Sequence, residues 1–503
     1  MMQLSGRIAC CAMSICFLTL TAGISAEVKL PTLLGDHMVL QRGKPVHVWG
    51  MADPAEKVTA TFRGNATTTE ADAFGRWSIY LPVSDAGGPF ALIVEGKNTI
   101  RLSDVLVGDV WVASGQSNME FPMKQTAPWS NSIKNMQQEL AAATHPQIRV
   151  LRVEKTVSDY PKTDAHVVGW SVCTPDSVSD FSAVAYFFAR ELEQKEHVPI
   201  GVVEASWGGT PAEAWTSLDS LSADASLMPV FRYRAHMMDY EPTTLLNLQK
   251  MQADMDRKIA QGQAATMPLH LDPDSWAPAA LFNGMIAPLL PMPIRGVIWY
   301  QGESNTDPEQ VPVYGHLFKT LIQDWRTKWG MGDFPFLFVQ IANYHYGDAW
   351  PPVREAQRRS LGLVGTGMAV TIDIGEAEEI HPSDKQDVGY RLALLARAVA
   401  YGEQVEGSGP LFRQAVPEGS QMRVWFDHVR SGLVAKGDRL NGFEVAGADG
   451  KFVAAEAEIS GQNVIASSAA VQKPLYVRYG WAADPHCNLF NQENLPASPF
   501  TSQ

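Results

Sequence analysis

At 503 residues the chain is too long for one small module, and its length fits two or three domains. Its 40 Lys and Arg against 54 Asp and Glu leave a formal charge of −14, which provides no basic field for a polyanion and argues against nucleic-acid binding. Hydrophobic residues make up 46% of it, the content of a globular protein with a sizeable core and not of a disordered or multi-span membrane chain.

Before Glu27 only Arg7 is charged, and the apolar run from Ile8 to Leu20 ends in the small-residue segment Gly23-Ile24-Ser25-Ala26. This is the pattern of a secretory signal peptide over residues 1–26, with an apolar core shorter than the ~20 residues a membrane span needs. It predicts a secreted or periplasmic protein, or a lysosomal one in a eukaryotic host, with no membrane attachment after cleavage. Cys10, Cys11 and Cys16 leave with that segment; Cys173 and Cys487 remain, either joined or both free.

Residues 27–104 read as short alternating strands, such as 45–50 and 57–62, separated by turns such as Asp72-Ala73-Phe74-Gly75. A small β-sandwich is expected there. From Val105 to about residue 410 the pattern changes to apolar strands alternating with helices, the grammar of βαβ units and a mostly parallel sheet. Strands are expected at 110–113, 148–153, 200–205, 296–300, 336–341 and 368–372, each apolar on both faces. Helices are expected at 182–196 and 386–401, the second capped by Ser383, from apolar positions at helical spacing. A polar, Met-rich insertion over about 217–282 is a candidate lid or cleft wall. Short strands return over 411–503, as in 422–426 and 474–479, so a second small β domain closes the chain.

In parallel α/β sheets ligands bind beyond the carboxyl ends of strands, so the residues just after each strand carry the chemical information. Four such segments stand out: Ser114-Gly115-Gln116-Ser117-Asn118-Met119, Ser206-Trp207-Gly208-Gly209-Thr210, Tyr300-Gln301-Gly302-Glu303-Ser304-Asn305, and Glu376-Ala377-Glu378-Glu379-Ile380-His381-Pro382. A serine on a glycine turn can expose its hydroxyl while its own N–H faces the same space, which serves nucleophilic attack and oxyanion binding. Spacing leaves Ser117 and Ser304 equally eligible. Paired glycines let backbone N–H groups approach a ligand, and Gln301 has an amide to donate. His381 follows the last strand among carboxylates that can hold its tautomer, as a general base requires. No zinc spacing, Walker loop, dinucleotide fingerprint or Gly-x-Ser-x-Gly pentapeptide is present, so no metal and no cofactor is indicated.

Residues 115–119, 207–212, 299–305 and 380–385, together with Leu30 to Gly50 around Met38-Val39-Leu40-Gln41-Arg42, resemble in order the sequence blocks of the sialate O-acetylesterase family. That family belongs to the SGNH-type hydrolases. The resemblance implies a three-layer αβα SGNH-type domain with a mostly parallel sheet, flanked by small N- and C-terminal β-sandwich-like domains. It implies a carbohydrate O-acetylesterase with Ser117 as nucleophile, His381 as base and Glu378 as the triad acid; many relatives have an aspartate where Glu378 stands and Glu379 is adjacent, so a Ser–His dyad steadied by a carbonyl or by another carboxylate stays open. The oxyanion donors implied are the N–H groups of Ser117 and Gly209 (or Gly208) and the Gln301 side chain; Gln116, Asn118 and Glu303 would face the substrate. That substrate would be an O-acetylated sugar: 9-O-acetyl sialic acid by the family name, or acetylated xylan or xyloglucan by analogy with bacterial relatives. The cations nearest the blocks in sequence, Lys124, Arg295, Lys385 and Arg391, are those that would favour an anionic sugar. An inactive carbohydrate-binding protein on the same fold is the reading of another class.

Overall fold

The computed structural model describes residues 27–503 except 127, 128, 130, 346 and, within 240–272, all but 250, 253, 256–258, 260 and 261. The expected signal segment and the middle of the expected insertion lie outside the described residues.

The central sheet runs in the order Thr366–Ala369, Phe336–Val339, Gly296–Tyr300, Thr99–Gly115, Ile200–Ser206, His145–Arg152, Ser171–Cys173. Its neighbours are parallel except the last pair, a short antiparallel edge that the sequence reading did not contain. Every residue of Ile200–Ser206 and Gly296–Tyr300 is buried, as strands covered on both faces must be. Along the central strand, Trp111 and Ala113 join one core with Phe187, Phe188, Val388 and Leu392 of the helices Ala183–Glu196 and Lys385–Val399. Val110 and Val112 join the other core with Tyr314, Phe318 and Val353 of Val311–Trp329 and Trp350–Ser360. Alternate side chains thus feed two helical layers, and the expected αβα arrangement follows.

Helix starts follow local chemistry. Ser182 accepts from the Ala185 N–H and caps the first of these helices. The last begins at Lys385 with Asp384 as its cap, accepting from the Asp387 N–H, in place of the expected Ser383. Ser383 instead donates its hydroxyl to Glu376.

Upstream, Val46–Met51 pairs with Arg76–Leu81, while Lys57–Phe62 lies between Asn65–Glu70 and Gly87–Glu95. The strand Thr99–Gly115 begins beside Gly87–Glu95 and runs on into the central sheet, so residues 104 and 105 sit inside one 17-residue strand. Beyond residue 410 two four-stranded antiparallel sheets and a two-stranded one share a core around Val424, Val445, Val477 and Phe500. Cys173 and Cys487 are both free.

Trp299 lies at the centre of the larger core, with ring centroids 5.8 Å from Trp325, 6.1 Å from Trp215 and 6.3 Å from Phe336. Trp299→Ala is expected to remove about 3–5 kcal/mol of stability, seen as a lower urea midpoint; an unchanged midpoint would show that this cluster is not what holds the sheet to its helices.

Candidate active site

After the central strand the chain passes to His145–Arg152, returns to Ile200–Ser206 on one flank, and then crosses to Gly296–Tyr300 on the other. The carboxyl end of the central strand is therefore the point where strand order reverses and a crevice opens. Gly115 has φ 133°, and a Cβ there would stand 2.1 Å from the Tyr300 carbonyl oxygen. The Gln116 N–H donates to that oxygen (2.9 Å) and the Trp207 N–H to the Gly115 oxygen (3.1 Å), so three strand ends are tied at one place. Ser117 opens the short helix Ser117–Glu120 immediately above; it is buried, and its hydroxyl makes no hydrogen bond among the described residues.

The Trp207–Thr210 turn folds over this serine. A Cβ on Gly208 would lie 3.2 Å from Ser117 Cβ. Its N–H is already given to Glu120 Oε2 (2.6 Å), which removes it as a donor to substrate. The Gly209 N–H has no acceptor among the described residues, and the residue's φ of 77° belongs to the left-handed region that favours glycine.

Gln301, expected as an oxyanion donor, has its side-chain amide engaged within the protein. Its Nε2 donates to Asn305 Oδ1 (2.6 Å) and the Thr210 carbonyl (3.3 Å), and the residue has no exposed surface. It supports the glycine turn from behind. Gln116 is better placed: its Oε1 accepts from the N–H groups of Gly302 and Ser304, while its Nε2 makes no hydrogen bond among the described residues. Ser304 sits in the short turn Glu303–Asn305 held by that contact. Asn118 and Glu303, expected against substrate, face inward. Asn118 Nδ2 donates to Glu303 Oε1 (2.7 Å) and to the Ile380 carbonyl (2.9 Å).

That last bond brings the loop after Thr366–Ala369 to the serine. His381 is buried, with its ring edge-on to Trp129 at 5.1 Å between centroids. Its Nδ1 lies 3.5 Å from Glu379 Oε1, which also accepts the His381 N–H at 2.9 Å. Glu378 is exposed and makes no bond to His381, so the carboxylate beside the imidazole is Glu379, one residue later than expected. The segment is a tight turn closed by the Glu379 N–H on the Glu376 carbonyl (3.1 Å), which leaves Glu378 at its exposed tip and Glu379 on the limb that runs into His381. Burial holds the His381 pKa below its ordinary value; the Glu379 carboxylate opposes that shift, and the Lys385 charge adds to it.

A cavity of about 490 Å³ is lined by Glu120, the last residue of the helix that Ser117 opens, and by Trp129, whose ring meets His381, and not by Ser117 or His381 themselves. Its charged lining is Glu120, Glu154, Asp180 and Glu204 with Arg152 and Lys155. Lys155 pairs with Glu120 at 2.6 Å, and Arg152 donates to the Asp180 carbonyl. Burial pushes the Glu204 carboxyl up to about 7. None of the four cations singled out in the sequence lines this cavity. Arg391 is held by Asp373, Arg295 donates to the Ala400 carbonyl, Lys124 is exposed, and Lys385 is buried on Asn118. Arg152 and Lys155 lie far from the motif blocks in sequence and carried no signal there. Among the described residues no group of three or more His, Cys, Asp or Glu could hold a metal ion, and no helix is long and apolar enough to cross a membrane.

Residues 273–396 match the family model described as carbohydrate esterase, sialic acid-specific acetylesterase. The sialate O-acetylesterase of Mus musculus is 31% identical, with 96% of this chain and 95% of that one covered, and the human one is 32% identical over 78% and 74%. A crystal structure of a novel carbohydrate acetylesterase from Xanthomonas citri is similar over 95% of this chain and 99% of that one, with 38% identity and a TM-score of 0.81. With likeness to such relatives running through almost the whole length and the αβα fold shared, this chain belongs to the sialate O-acetylesterase family and is a carboxylic ester hydrolase of the SGNH type.

Proposed function

We propose that the chain removes acetyl groups from O-acetylated sugars with Ser117 as nucleophile, His381 as general base and Glu379 as the carboxylate that orients it, within residues 105–410. The observation that carries this reading is the convergence of an unbonded serine hydroxyl, an unbonded Gly209 N–H and a buried, carboxylate-paired histidine at one strand-order reversal. With Nδ1 facing Glu379, Nε2 of His381 takes the Ser117 proton as Oγ attacks the acetyl carbonyl. The oxyanion is met by the N–H groups of Ser117 and Gly209 and by the Gln116 side-chain amide. His381 then protonates the departing sugar oxygen. A water deprotonated by the same nitrogen cleaves the acetyl-serine to acetate and restores the hydroxyl. The leader pattern of residues 1–26 supports action outside the cytoplasm.

The family points to O-acetylated sialic acid as substrate. The cavity supports a second reading, a neutral O-acetylated glycan such as hemicellulose, because Lys155 is already paired with Glu120, which leaves Arg152 facing Glu154 and Asp180 in the lining. Acetate release from 9-O-acetylated sialoglycan and from acetylated xylan and xyloglucan separates the two. Release from the sialoglycan alone is expected on the first reading and from the plant glycans alone on the second.

On every substrate cleaved, His381→Ala is expected to lose about 10²- to 10⁴-fold in kcat, and Ser117→Ala at least as much. Wild-type activity in Ser117→Ala would overturn the assignment. Because burial lowers the His381 pKa, the acid limb of kcat/KM is expected below pH 6.5, the ordinary imidazole value. Glu379→Gln removes a charge that favours the imidazolium and is expected to move that limb to still lower pH. A limb moving upward in that variant would show that Glu379 does not act on the base.

A further inference from the structure

Behind the serine turn lies a buried polar cluster that the chemistry above does not use. Lys385 is 1% exposed, and its Nζ donates to Asn118 Oδ1 at 2.6 Å. The two Nδ2 hydrogens of Asn118 go to Glu303 Oε1 and the Ile380 carbonyl. Glu303 Oε2 is buried without a partner. The rings of Phe121 and Tyr300 lie 4.8 and 5.8 Å from the ammonium. A carboxamide can take either of two orientations 180° apart, and a cation on one side fixes which end is the oxygen. With Lys385 present, the amide nitrogen of the residue after Ser117 must face the carbonyl of the residue before His381.

We propose that Lys385 is a positioning residue for the ester hydrolysis, acting through Asn118 to hold the Ser117 turn in register with the His381 loop. This rests on the reading of Ser117 and His381 given above. It touches neither sugar nor reacting atoms, so its effect falls on the chemical step and not on sugar binding. The charged groups around Lys385 are Glu303, Glu376, Glu379 and Asp384; those around His381 are Glu379, Lys385 and Glu120. Removing the Lys385 charge takes away a cation that opposes protonation of His381.

The test is Lys385→Met in the full chain. Expected are a kcat lower by about 10- to 100-fold, of the size a slight misplacement of reacting groups produces, a KM within about two-fold, and an acid limb of kcat/KM at higher pH than wild type. The double variant with Asn118→Ala is expected to lose no more than the larger single loss, because both break one contact. Should the Met variant not fold, Lys385→Gln, one atom shorter in reach and uncharged, is expected to shift the acid limb the same way. A lowered melting temperature with kcat and acid limb unchanged below it would overturn the proposal, as would losses that multiply in the double variant. Retained activity in Ser117→Ala would instead remove the reading beneath it, an outcome independent of Lys385.

Discussion

Everything at the site hangs on how closely the central strand passes its neighbour at Gly115. No side chain can stand there, since the Tyr300 carbonyl occupies the place of a Cβ and in turn accepts the next N–H. The strand is thereby stopped and turned upward between two flanking strand ends. Ser117, the glycine turn after Ile200–Ser206 and the segment after Gly296–Tyr300 meet because that one approach leaves them nowhere else to go. The extended, fully buried strands beneath make the platform stiff, which is what a site that positions reacting groups to a fraction of an ångström needs.

Above the platform, order comes from polar contacts made in the absence of water. Placing an ammonium wholly inside a protein costs several kcal/mol, and here burial pushes the Lys385 pKa down to about 7. Asn118, the facing Glu303 carboxylate and two ring faces offset that cost. Such clusters contribute little net stability, yet they admit few alternative arrangements, because each rearrangement strands a buried group. Gln116 and Gln301 obey the same logic. Both are buried amides at strand ends; Gln301 spends its hydrogens within the fold, while Gln116 is anchored through its oxygen and its nitrogen has no partner among the described residues.

The outer β region is tied to the loop that carries His381. Arg354 has no exposed surface and donates to the carbonyls of Ile341, Ala342, Ala482 and Ala483, binding the C-terminal region to the loop that follows Phe336–Val339. That loop touches the next one: the His345 N–H donates to the Ala377 carbonyl, and Asn343 packs so closely on Gly375 that a Cβ there would lie 2.1 Å from its Oδ1. A continuous set of contacts thus runs from residues 482–484 to the loop bearing Glu379 and His381, without any of those outer residues reaching the cavity.

The layered fold was legible in the sequence because strand burial on both faces and helical periodicity are local patterns, and the strand at 296–300 was placed to the residue. The four strand-end segments were legible for the same reason: glycines, serine and histidine at strand ends have a local cause. Which atoms of those segments face one another was not. Glu378 and Glu379 are neighbours on one turn and differ in which of them packs toward the ring, Gln301 and Gln116 in which neighbour takes their hydrogens, and Lys385 became part of the site only by packing beneath Asn118, 267 residues away in sequence. The cavity's cations, Arg152 and Lys155, come from a strand end with no motif at all. Sequence by itself determined the elements and the kinds of chemistry available at their ends, since both follow from short-range pattern. Tertiary structure alone decided the partners, because hydrogen bonding and burial depend on contacts between segments that only the folded sheet brings together.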